Sequence, residues 1–436
     1  MFRQLGRTGV CVEVSRRAFL AAVGGSAAFS AASFIPDQRA NAETGDLSTP
    51  TSHVSMLFGD AGAGELAVGR PEGDAYHSFR IPSLIAIPDR DRLSTVLIAV
   101  AEGRPNGVGD QTGDFDLLVR RSFDGGRSWS RPNPLAEGSG WSWTNPTLVW
   151  DDFRQELHCF MIRRGVTMSP VAQSDAPRVY LSTSTNRGRT WSVPAKQPHL
   201  DRAAFGSDCV GPGNGIQRPD GTLVVPARGR LFIKRPGQGW EQSDPLPRSL
   251  ADRSVPYTEG AVALRPDGSL LLNYRASGSE HRDPRFYPNT RRILIGEPGA
   301  WEQQPDGQFW RQDITDPVSQ ASQIQHVVGG SLALLHLNSA SSTSRFAMTM
   351  RASHDGGSTW PMLRPLADAP LANEGDRRGD LREGGYSSLA SRGVGEIWAL
   401  VEARRVPRDG ATAEDLSDAP CAIVFRRFAP NWVLGA

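Results

Sequence analysis

Short hydrophobic runs alternate with compact polar turns along most of this 436-residue chain. Segments such as "DFDLLVRRS" (114–122), "RVYLSTS" (178–184) and "RFAMTMRAS" (345–353) place apolar residues at alternate positions or in short continuous runs, which is typical of β-strands. After residue 43, no long segment repeats its apolar residues with the period of an amphipathic helix. The pattern therefore predicts an all-β protein.

Each of these runs leads into the same phrase, S-x-D/N-x-G-x-S/T-W, at 122–129, 184–191 and 353–360. The Asp or Asn can accept hydrogen bonds from backbone N–H groups in a tight turn, and the Gly suits a positive φ. The Trp ring can pack on the sheet beneath. Two degenerate copies of the phrase end at Trp240 and Trp301. The phrase predicts a strand–turn–strand unit, and its acidic residues are expected to be structural rather than catalytic.

The repeat indicates a radial architecture. The Trp that ends each copy lies at position 129, 191, 240, 301 or 360, which gives a period of about 50–60 residues. A second turn-and-strand signal lies between them, in "RPDGTLVVPAR" (218–228) and "RPDGSLLLNYR" (265–275). Four strands in a unit of about 60 residues fit a propeller blade. We expect a six-bladed β-propeller of four-stranded antiparallel blades; a β-helix competes, but its repeats are shorter.

The segment 1–42 has the features of an export signal. Arg16 and Arg17 precede Phe19 and Leu20, an apolar run rich in small residues follows, and an A-x-A site ends at Ala42. The paired arginines match the twin-arginine form. We therefore expect 1–42 to be removed, 43–436 to form a single propeller domain, and the protein to be periplasmic or secreted. A membrane anchor is the alternative, although the apolar run is short for one.

Charge and cysteine content exclude several classes of protein. The segment 1–42 holds five Arg and two acidic residues, so its removal takes the formal net charge from +1 to about −2. No basic stripe suggests nucleic-acid binding. Cys159, Cys209 and Cys421 are scattered and indicate no disulfide framework. No His or Cys spacing suggests a metal site, and we predict neither a metal nor another cofactor.

Several stretches that depart from the repeat carry a resemblance to a known family. They are "HSFRIPSLIAIP" (77–88), "AEGR" (101–104), "GPGNGI" (211–216), "TEGAVALRPDGSLLLNYR" (258–275) and "GYSSLA" (385–390). Together with the three turn phrases, which correspond to Asp boxes, they resemble the bacterial sialidases, or neuraminidases. The match covers nearly all of 43–436. It implies a propeller enzyme that releases sialic acid from glycans.

The resemblance implies three arginines that bind the carboxylate of sialic acid. Arg80 matches the first, Arg275 the second and Arg345 the third. The guanidinium group suits this task because it is planar, permanently charged and forms paired hydrogen bonds with carboxylates. Glu402 resembles the acid that braces the first arginine, and Arg104 resembles the one that contacts the 4-hydroxyl region of the sugar.

The resemblance also implies the catalytic groups. Tyr386 matches the nucleophile, and a neutral phenol avoids repulsion from the substrate carboxylate. Glu259 matches the base that activates this phenol. Asp110 matches the general acid and base best, and Asp114 in the same loop, which also holds Asp116, is the alternative.

These motifs lead to one main hypothesis and three alternatives. The main hypothesis is an exported, retaining exo-alpha-sialidase, expected to be a monomer, whose substrate is a sialylated glycan. The second keeps the mechanism but acts on a related ulosonic acid, such as deaminated sialic acid. The third is a trans-sialidase. The fourth is a non-enzymatic sialic-acid-binding propeller, which would be expected to lack one of the catalytic groups.

Overall fold

The computed structural model describes the following parts of the chain: 52–59, 76–110, 113–165, 177–201, 208–247, 258–275, 290–305, 307, 309–311, 313–328, 330–368, 381–405 and 419–434. All of them belong to one structural unit, Leu47–Ala436. The predicted export signal, 1–42, lies outside the described residues and stays a prediction.

Almost all regular structure is β-strand, as the hydrophobic pattern predicts. In chain order, the strands of the first half are β1 (Ser52–Phe58), β2 (Ser78–Pro88), β3 (Thr95–Arg104), β4 (Asp116–Ser122), β5 (Asn133–Ala136), β6 (Trp141–Asp151), β7 (Glu156–Gly165), β8 (Arg178–Ser184), β9 (Ala195–Lys196), β10 (Gly213–Asn214) and β11 (Ile216–Gln217).

The second half continues in the same manner and ends in a short helix. Its elements are β12 (Leu223–Ala227), β13 (Arg230–Lys234), β14 (Trp240–Gln242), β15 (Gly260–Leu264), β16 (Leu270–Tyr274), β17 (Arg292–Glu297), β18 (Ala300–Trp301), β19 (Ser322–Val328), β20 (Ser331–Ser339), β21 (Met348–Ser353), β22 (Met362–Pro365), β23 (Leu381–Ser391), β24 (Ile397–Arg405), β25 (Cys421–Phe428) and the helix α1 (Pro430–Leu434).

The strands pair into six sheets, which are the six blades of a β-propeller. Blade 1 holds β2 to β5, blade 2 holds β6 to β10, and blade 3 holds β11 to β14. Blade 4 holds β15 to β18, blade 5 holds β19 to β22, and blade 6 holds β23 to β25 together with β1. The predicted fold, a six-bladed propeller of antiparallel four-stranded units, is confirmed.

Blade 6 joins the two ends of the described chain. Strand β1 pairs antiparallel with β25, with Met56 opposite Val424. The N-terminal strand is thus the outermost strand of the last blade. Because this blade combines strands from both ends of the chain, the pairing closes the ring.

Blade 2 departs from the predicted four strands. The two-residue strand β10 pairs in parallel with the inner strand β6, with Gly213 opposite Thr147. The chain runs beside β6 on its way from blade 2 into blade 3, where it continues as β11. The extra strand is therefore part of a connection between blades, which a repeat pattern does not reveal.

The hydrophobic core lies between neighbouring blades. One cluster joins Ile98 and Val100 of blade 1 to Leu148 and Trp150 of blade 2, and its members are almost fully buried. Equivalent clusters join the other neighbouring blades. Because each blade buries its faces against its neighbours rather than within itself, the blades depend on one another for stability.

The repeated phrase forms the turns that the sequence predicts. In the first copy, Asp124 Oδ1 accepts the N–H of Ser128 at 2.9 Å, and Gly126 has a φ of 86°. The Trp129 ring packs edge-on against Phe425 of blade 6, with ring centroids 5.2 Å apart. The other two copies form the equivalent hydrogen bond from the residue before their Trp. The phrase is therefore scaffold, as expected from its sequence.

Among the described residues, no helix is long and apolar enough to cross a membrane.

Candidate active site

Six of the eight predicted site residues lie on or next to the first and second strands of the blades. The first and second strands that carry these residues are antiparallel, so the beginning of the first strand and the end of the second lie at the same edge of the blade. A propeller brings those edges together around its central mouth. Inner strands begin at or near Arg80 and Glu259, and Tyr386 lies in the bulge of β23. Second strands end at or near Arg104, Arg275 and Glu402.

Three inner strands carry a bulge at this edge. The register shifts between Arg80 and Ser83 in β2, between Thr144 and Thr147 in β6, and between Glu383 and Ser387 in β23. A bulge bends a strand and changes the direction of the side chains beside it. Each bulge includes a residue with positive φ: Ile81 (56°), Asn145 (57°) and Gly385 (113°).

Tyr386, Glu259 and Arg275 form one hydrogen-bonded group. The phenol of Tyr386 donates to Glu259 Oε1 in a very short contact. Arg275 Nη1 donates to Glu259 Oε2 at 2.8 Å and to the Tyr386 oxygen at 2.8 Å. Burial, followed by the Glu259 carboxylate, raises the pKa of the Tyr386 phenol well above its usual value. The phenol therefore holds its proton in the free protein, and Glu259 is in place to receive it.

Arg80 is braced by Glu402, the acid that the sequence suggested. Arg80 Nε donates to Glu402 Oε1 at 3.1 Å, and the Oε1 and Oε2 atoms also accept the N–H groups of Ile81 and Tyr386 at 3.0 and 3.2 Å. Burial alone would raise the pKa of Glu402, but Arg80 above all, with these N–H donors, holds it below its usual range. A buried carboxylate thus fixes the guanidinium of Arg80 and the backbone of Tyr386 together.

Asp110 lies against two guanidinium groups and remains exposed. Its Oδ1 is 2.9 Å from Arg104 Nη1 and 3.6 Å from Arg80 Nη1, and its side chain is 67% exposed. Arg164 Nη2 contacts the backbone carbonyl of Asp110. Burial alone would raise the pKa of Asp110, but Arg104, Arg80 and Arg164 hold it below the usual value.

The other acids of this loop have different contacts. Asp114 Oδ2 accepts the N–H of Gly140 at 2.8 Å. Asp116 is buried and accepts both the N–H of Gly138 at 2.6 Å and the phenol of Tyr76 at 2.5 Å. Of the three loop carboxylates, Asp110 is the one that contacts Arg80 and Arg104.

Arg345 lies on the connection between β20 and β21 and is half-buried. Its Nη2 donates to the carbonyl of Val318 at 3.1 Å. Its backbone carbonyl accepts the N–H of Gly385 at 2.9 Å, next to Tyr386. Burial and Glu259 raise the pKa of the Tyr386 phenol, and the charge of Arg345, with those of Arg275 and Arg80, opposes part of that rise. All eight predicted residues therefore take part in one connected constellation.

Glu102 is a buried acid of this site for which the sequence motifs predict no role. Its Oε2 accepts from Arg104 Nε at 3.0 Å and from Nη2 at 2.5 Å, and its Oε1 accepts the N–H of Asn145 at 2.9 Å. Burial raises the pKa of Glu102 despite the opposing charge of Arg104. The apolar run "TVLIAVAEGR" places Glu102 at the end of a strand that the sequence predicts to be buried. A buried charge is expected to have a partner, so this position was the signal in the sequence for a role of Glu102.

Asn145 and Cys209 complete the side of the mouth near Glu102. Asn145 Nδ2 lies 3.4 Å from Cys209 Sγ. Burial, followed by the Glu259 charge, raises the pKa of the Cys209 thiol well above its usual value. The thiol is therefore protonated at neutral pH, and it is not disulfide-bonded.

This arrangement suits glycosyl transfer to a protein oxygen. A buried phenol with an adjacent carboxylate is chemically able to act as a nucleophile with its base. An exposed carboxylate near the same mouth is able to exchange protons with a leaving group. Several guanidinium groups favour an anionic substrate. The fold and the mouth are those of a propeller glycoside hydrolase.

Comparisons with known proteins agree with this class. The BNR repeat-like domain family matches residues 95–398. An exo-alpha-sialidase from Aspergillus fumigatus is 33% identical over 390 residues, which cover 83% of this chain and 86% of that protein. An exo-alpha-sialidase from Arthroderma benhamiae is 30% identical over 389 residues, with the same coverage of both chains.

A solved structure is similar in fold. The intramolecular trans-sialidase from Ruminococcus gnavus, in complex with oseltamivir carboxylate, superposes with a TM-score of 0.64. The alignment covers 82% of this chain and 96% of that chain, at 14% identity. The chain described here belongs to the exo-alpha-sialidase family, the glycoside hydrolases with BNR repeats that its sequence resembles.

Proposed function

We propose that this protein is a retaining exo-alpha-sialidase that removes terminal sialic acid through a covalent Tyr386 intermediate. The observation that carries the proposal is the contact of Tyr386 with Glu259, with Arg275 Nη1 2.8 Å from both side chains. It gives the phenol a proton acceptor and gives the resulting phenolate a positive neighbour. The family relationship supports sialic acid as the sugar.

Binding of the substrate depends on three guanidinium groups. Arg80, Arg275 and Arg345 bind the carboxylate on the anomeric carbon, where a planar fork of donors suits a planar anion. Glu402 and Glu259 hold two of these arginines in place. The carboxylate thereby orients the anomeric carbon toward the Tyr386 oxygen.

The first chemical step breaks the glycosidic bond. Glu259 accepts the phenol proton while the Tyr386 oxygen attacks the anomeric carbon. Asp110, which takes up a proton from solvent when the substrate carboxylate binds Arg80, donates that proton to the departing glycosidic oxygen. The products are the free aglycone alcohol and a sialyl group joined through its anomeric carbon to the Tyr386 oxygen. Glu259 is neutral and Asp110 is ionised at this stage.

The second step reverses the proton transfers. Asp110 takes a proton from a water molecule, whose oxygen attacks the anomeric carbon from the face that the aglycone left. The Tyr386 oxygen departs and recovers its proton from Glu259. Two displacements retain the anomeric configuration, and every catalytic group returns to its starting state.

The test of this proposal is the release of fluorophore from an aryl α-sialoside by the purified protein, with the deaminated analogue in parallel. Turnover of the N-acetyl substrate by the native protein, together with its loss in Tyr386→Phe, is the expected result. Tyr180→Phe is the matched control, because it removes another buried phenol outside the mouth. Turnover of the deaminated analogue alone would move the specificity to that sugar, and turnover of neither would overturn the proposal.

The same experiment distinguishes hydrolysis from transfer. With lactose present, a hydrolase releases free sialic acid, whereas a trans-sialidase forms sialyllactose. Proton NMR of the first product reports the anomer before mutarotation. We expect free α-anomer as the main product, and an initial β-anomer would contradict the retaining mechanism.

We further propose that the protein is exported by the twin-arginine route, on the basis of Arg16 and Arg17. Cell fractionation of the full chain and of a double Arg→Lys variant at these positions tests this. The native chain should accumulate outside the cytoplasm, and the variant should remain inside. Equal distribution of the two would contradict twin-arginine export.

A further inference from the structure

The turn formed by residues 316–320 lies at the mouth, just before the inner strand β19 of blade 5. Val318 in this turn has a φ of 63°. A positive φ is a genuine outlier for a β-branched residue, because its side chain crowds the backbone in the left-handed region. Such conformations persist where surrounding contacts impose them, and they are frequent at functional sites.

Buried polar contacts impose the conformation of this turn. Asp316 Oδ1 accepts the N–H of Ser319 at 2.8 Å, and Asp316 Oδ2 lies 3.6 Å from Arg291 Nη1. The same Arg291 nitrogen also donates to the Ser319 carbonyl. Asn338 Nδ2 adds a contact of 3.3 Å to Asp316 Oδ2. Arg291, Asp316 and Ser319 are each at most 1% exposed, so the turn is fixed from within the protein.

This turn contacts two parts of the proposed site. The carbonyl of Val318 accepts Arg345 Nη2 at 3.1 Å. Ser319 Oγ donates to the carbonyl of Gly385 at 3.3 Å, next to Tyr386. Gln320 forms two hydrogen bonds of 2.9 Å with the backbone of Ser387, on the other side of Tyr386.

We propose that Val318 is a positioning residue for substrate binding. Its left-handed backbone directs its carbonyl toward Arg345 and so orients the guanidinium that receives the substrate carboxylate. A residue restricted to negative φ would turn that carbonyl away and leave Arg345 free to rotate. This inference rests on the proposed role of Arg345, and it adds a residue that does not itself touch the substrate.

The test compares two substitutions of Val318. Pro restricts φ to negative values and cannot adopt the native conformation, whereas Asn tolerates the left-handed region. We expect Val318→Pro to raise two constants by about tenfold: the KM for a sialoside substrate and the Ki of the unsaturated glycal analogue of sialic acid. The reason is that an oriented charged donor is lost. We expect kcat to change less than KM, and Val318→Asn to remain within about twofold of the native protein.

A double-mutant cycle separates positioning from a general structural effect. If Val318 acts through Arg345, Val318→Pro should have little further effect on analogue binding in an Arg345→Ala background. Undiminished loss of binding in that background would overturn the proposal. So would an unchanged Ki in a folded Val318→Pro variant. If that variant does not fold, Asp316→Ala replaces it, because it removes both acceptors that shape the turn.

Analogue binding, measured by calorimetry, keeps this inference separate from the proposed function. A native protein that binds the analogue but does not hydrolyse sialosides would contradict the sialidase proposal and leave the Val318 test valid. A native protein that does neither would overturn both. Turnover by the native protein with additive effects of the two substitutions would overturn the Val318 inference alone.

Discussion

The Asp110 carboxylate lies 3.6 Å from Nη1 of Arg80, the guanidinium that we propose to receive the substrate carboxylate. In the free protein, Asp110, the proposed general acid and base, therefore lies beside the positive charge of Arg80, which the substrate carboxylate will neutralise. Burial would raise the pKa of Asp110, but Arg104, Arg80 and Arg164 hold it below its usual value. A bound carboxylate on Arg80 offsets part of this effect, so the pKa of Asp110 should rise on binding.

This relationship predicts that substrate analogues bind with uptake of a proton. Because the pKa of Asp110 is lower in the free protein than in the complex, protons are taken up at pH values between the two. Affinity should consequently fall as pH rises through that window. Calorimetry of the unsaturated sialic acid analogue in buffers of different ionisation enthalpy measures the uptake.

Asp110→Asn is the matched control for this prediction. Asn has nearly the same shape and cannot titrate, so the proton uptake should disappear in the variant. Uptake that persists in Asp110→Asn would assign the proton to another group. The absence of uptake by the native protein at every pH between about 3 and 6 would show that Arg80 and Asp110 are not coupled.

Tyr386→Phe should remove nearly all turnover and leave the fold intact. We expect kcat to fall by at least about a thousandfold, since the covalent intermediate cannot form. Glu259 retains its ion pair with Arg275 at 2.8 Å, so the variant should not lose much stability. Mass spectrometry after treatment with a fluorinated sialosyl fluoride should locate the label on Tyr386 in the native protein. Labelling of another residue would contradict the assignment of the nucleophile.

The repeat in the sequence predicts the propeller fold, but it does not predict the interactions between blades. Each turn phrase fixes a local hairpin through residues four positions apart, such as Ser128 and Asp124. Glu102 instead reaches Asn145, 43 positions away, and Arg291 reaches Ser319, 28 positions away. Those contacts depend on how blades pack, so a single sequence does not reveal them.

The same distinction applies to the site. The resemblance to sialidases predicts site residues that lie in recognisable motifs and that the structure places near one another, and their roles stay a prediction. The supporting contacts, such as that of Glu102 with Asn145, join residues of different blades and become clear only in the folded chain. The bulge at Ile81 likewise follows from the bond between its N–H and Glu402, which is 321 positions away.

Arg345 and Arg80 should differ in their effects on stability. Arg345→Ala removes a half-buried side chain whose described hydrogen bond goes to a backbone carbonyl. We expect it to weaken analogue binding by about 2–5 kcal/mol, with little change in the free energy of unfolding. Arg80→Ala should weaken binding as well and also destabilise the protein by about 3 kcal/mol, because it removes the main charged partner of the buried Glu402. Equal unfolding free energies for the two variants would contradict this difference.

The stability deficit of Arg80→Ala should depend on pH. Arg80 is the main charge that holds the pKa of Glu402 below its usual value against the effect of burial. A lowered pKa in the folded state contributes stability above the unfolded pKa of about 4.3, and that contribution is lost as pH falls. The deficit should therefore be largest near neutral pH and shrink below about pH 4. Denaturant unfolding at several pH values tests this, and a deficit that grows on acidification would contradict it.

Asp124 offers a test of the conclusion that the repeated phrase is scaffold. Burial would raise its pKa, but hydrogen bonds from Ser128 and Ser122 hold it at about 2. The second copy of the phrase has Asn186 at the same position, where its Oδ1 accepts the N–H of Thr190 at 2.9 Å. An uncharged amide thus forms the same turn in this chain.

Asp124→Asn should therefore leave KM almost unchanged and cost less stability than Asp124→Ala, which should destabilise the protein by about 1 kcal/mol through the lost hydrogen bonds. The stabilisation that comes from the lowered pKa of Asp124 is present above about pH 4 and is lost as pH falls toward 2. The deficit of the Ala variant should shrink over that range. Thermal unfolding and steady-state kinetics measure both effects. A large loss of kcat in folded Asp124→Asn would place the repeated phrase in the catalytic machinery, contrary to its position in the blade turns.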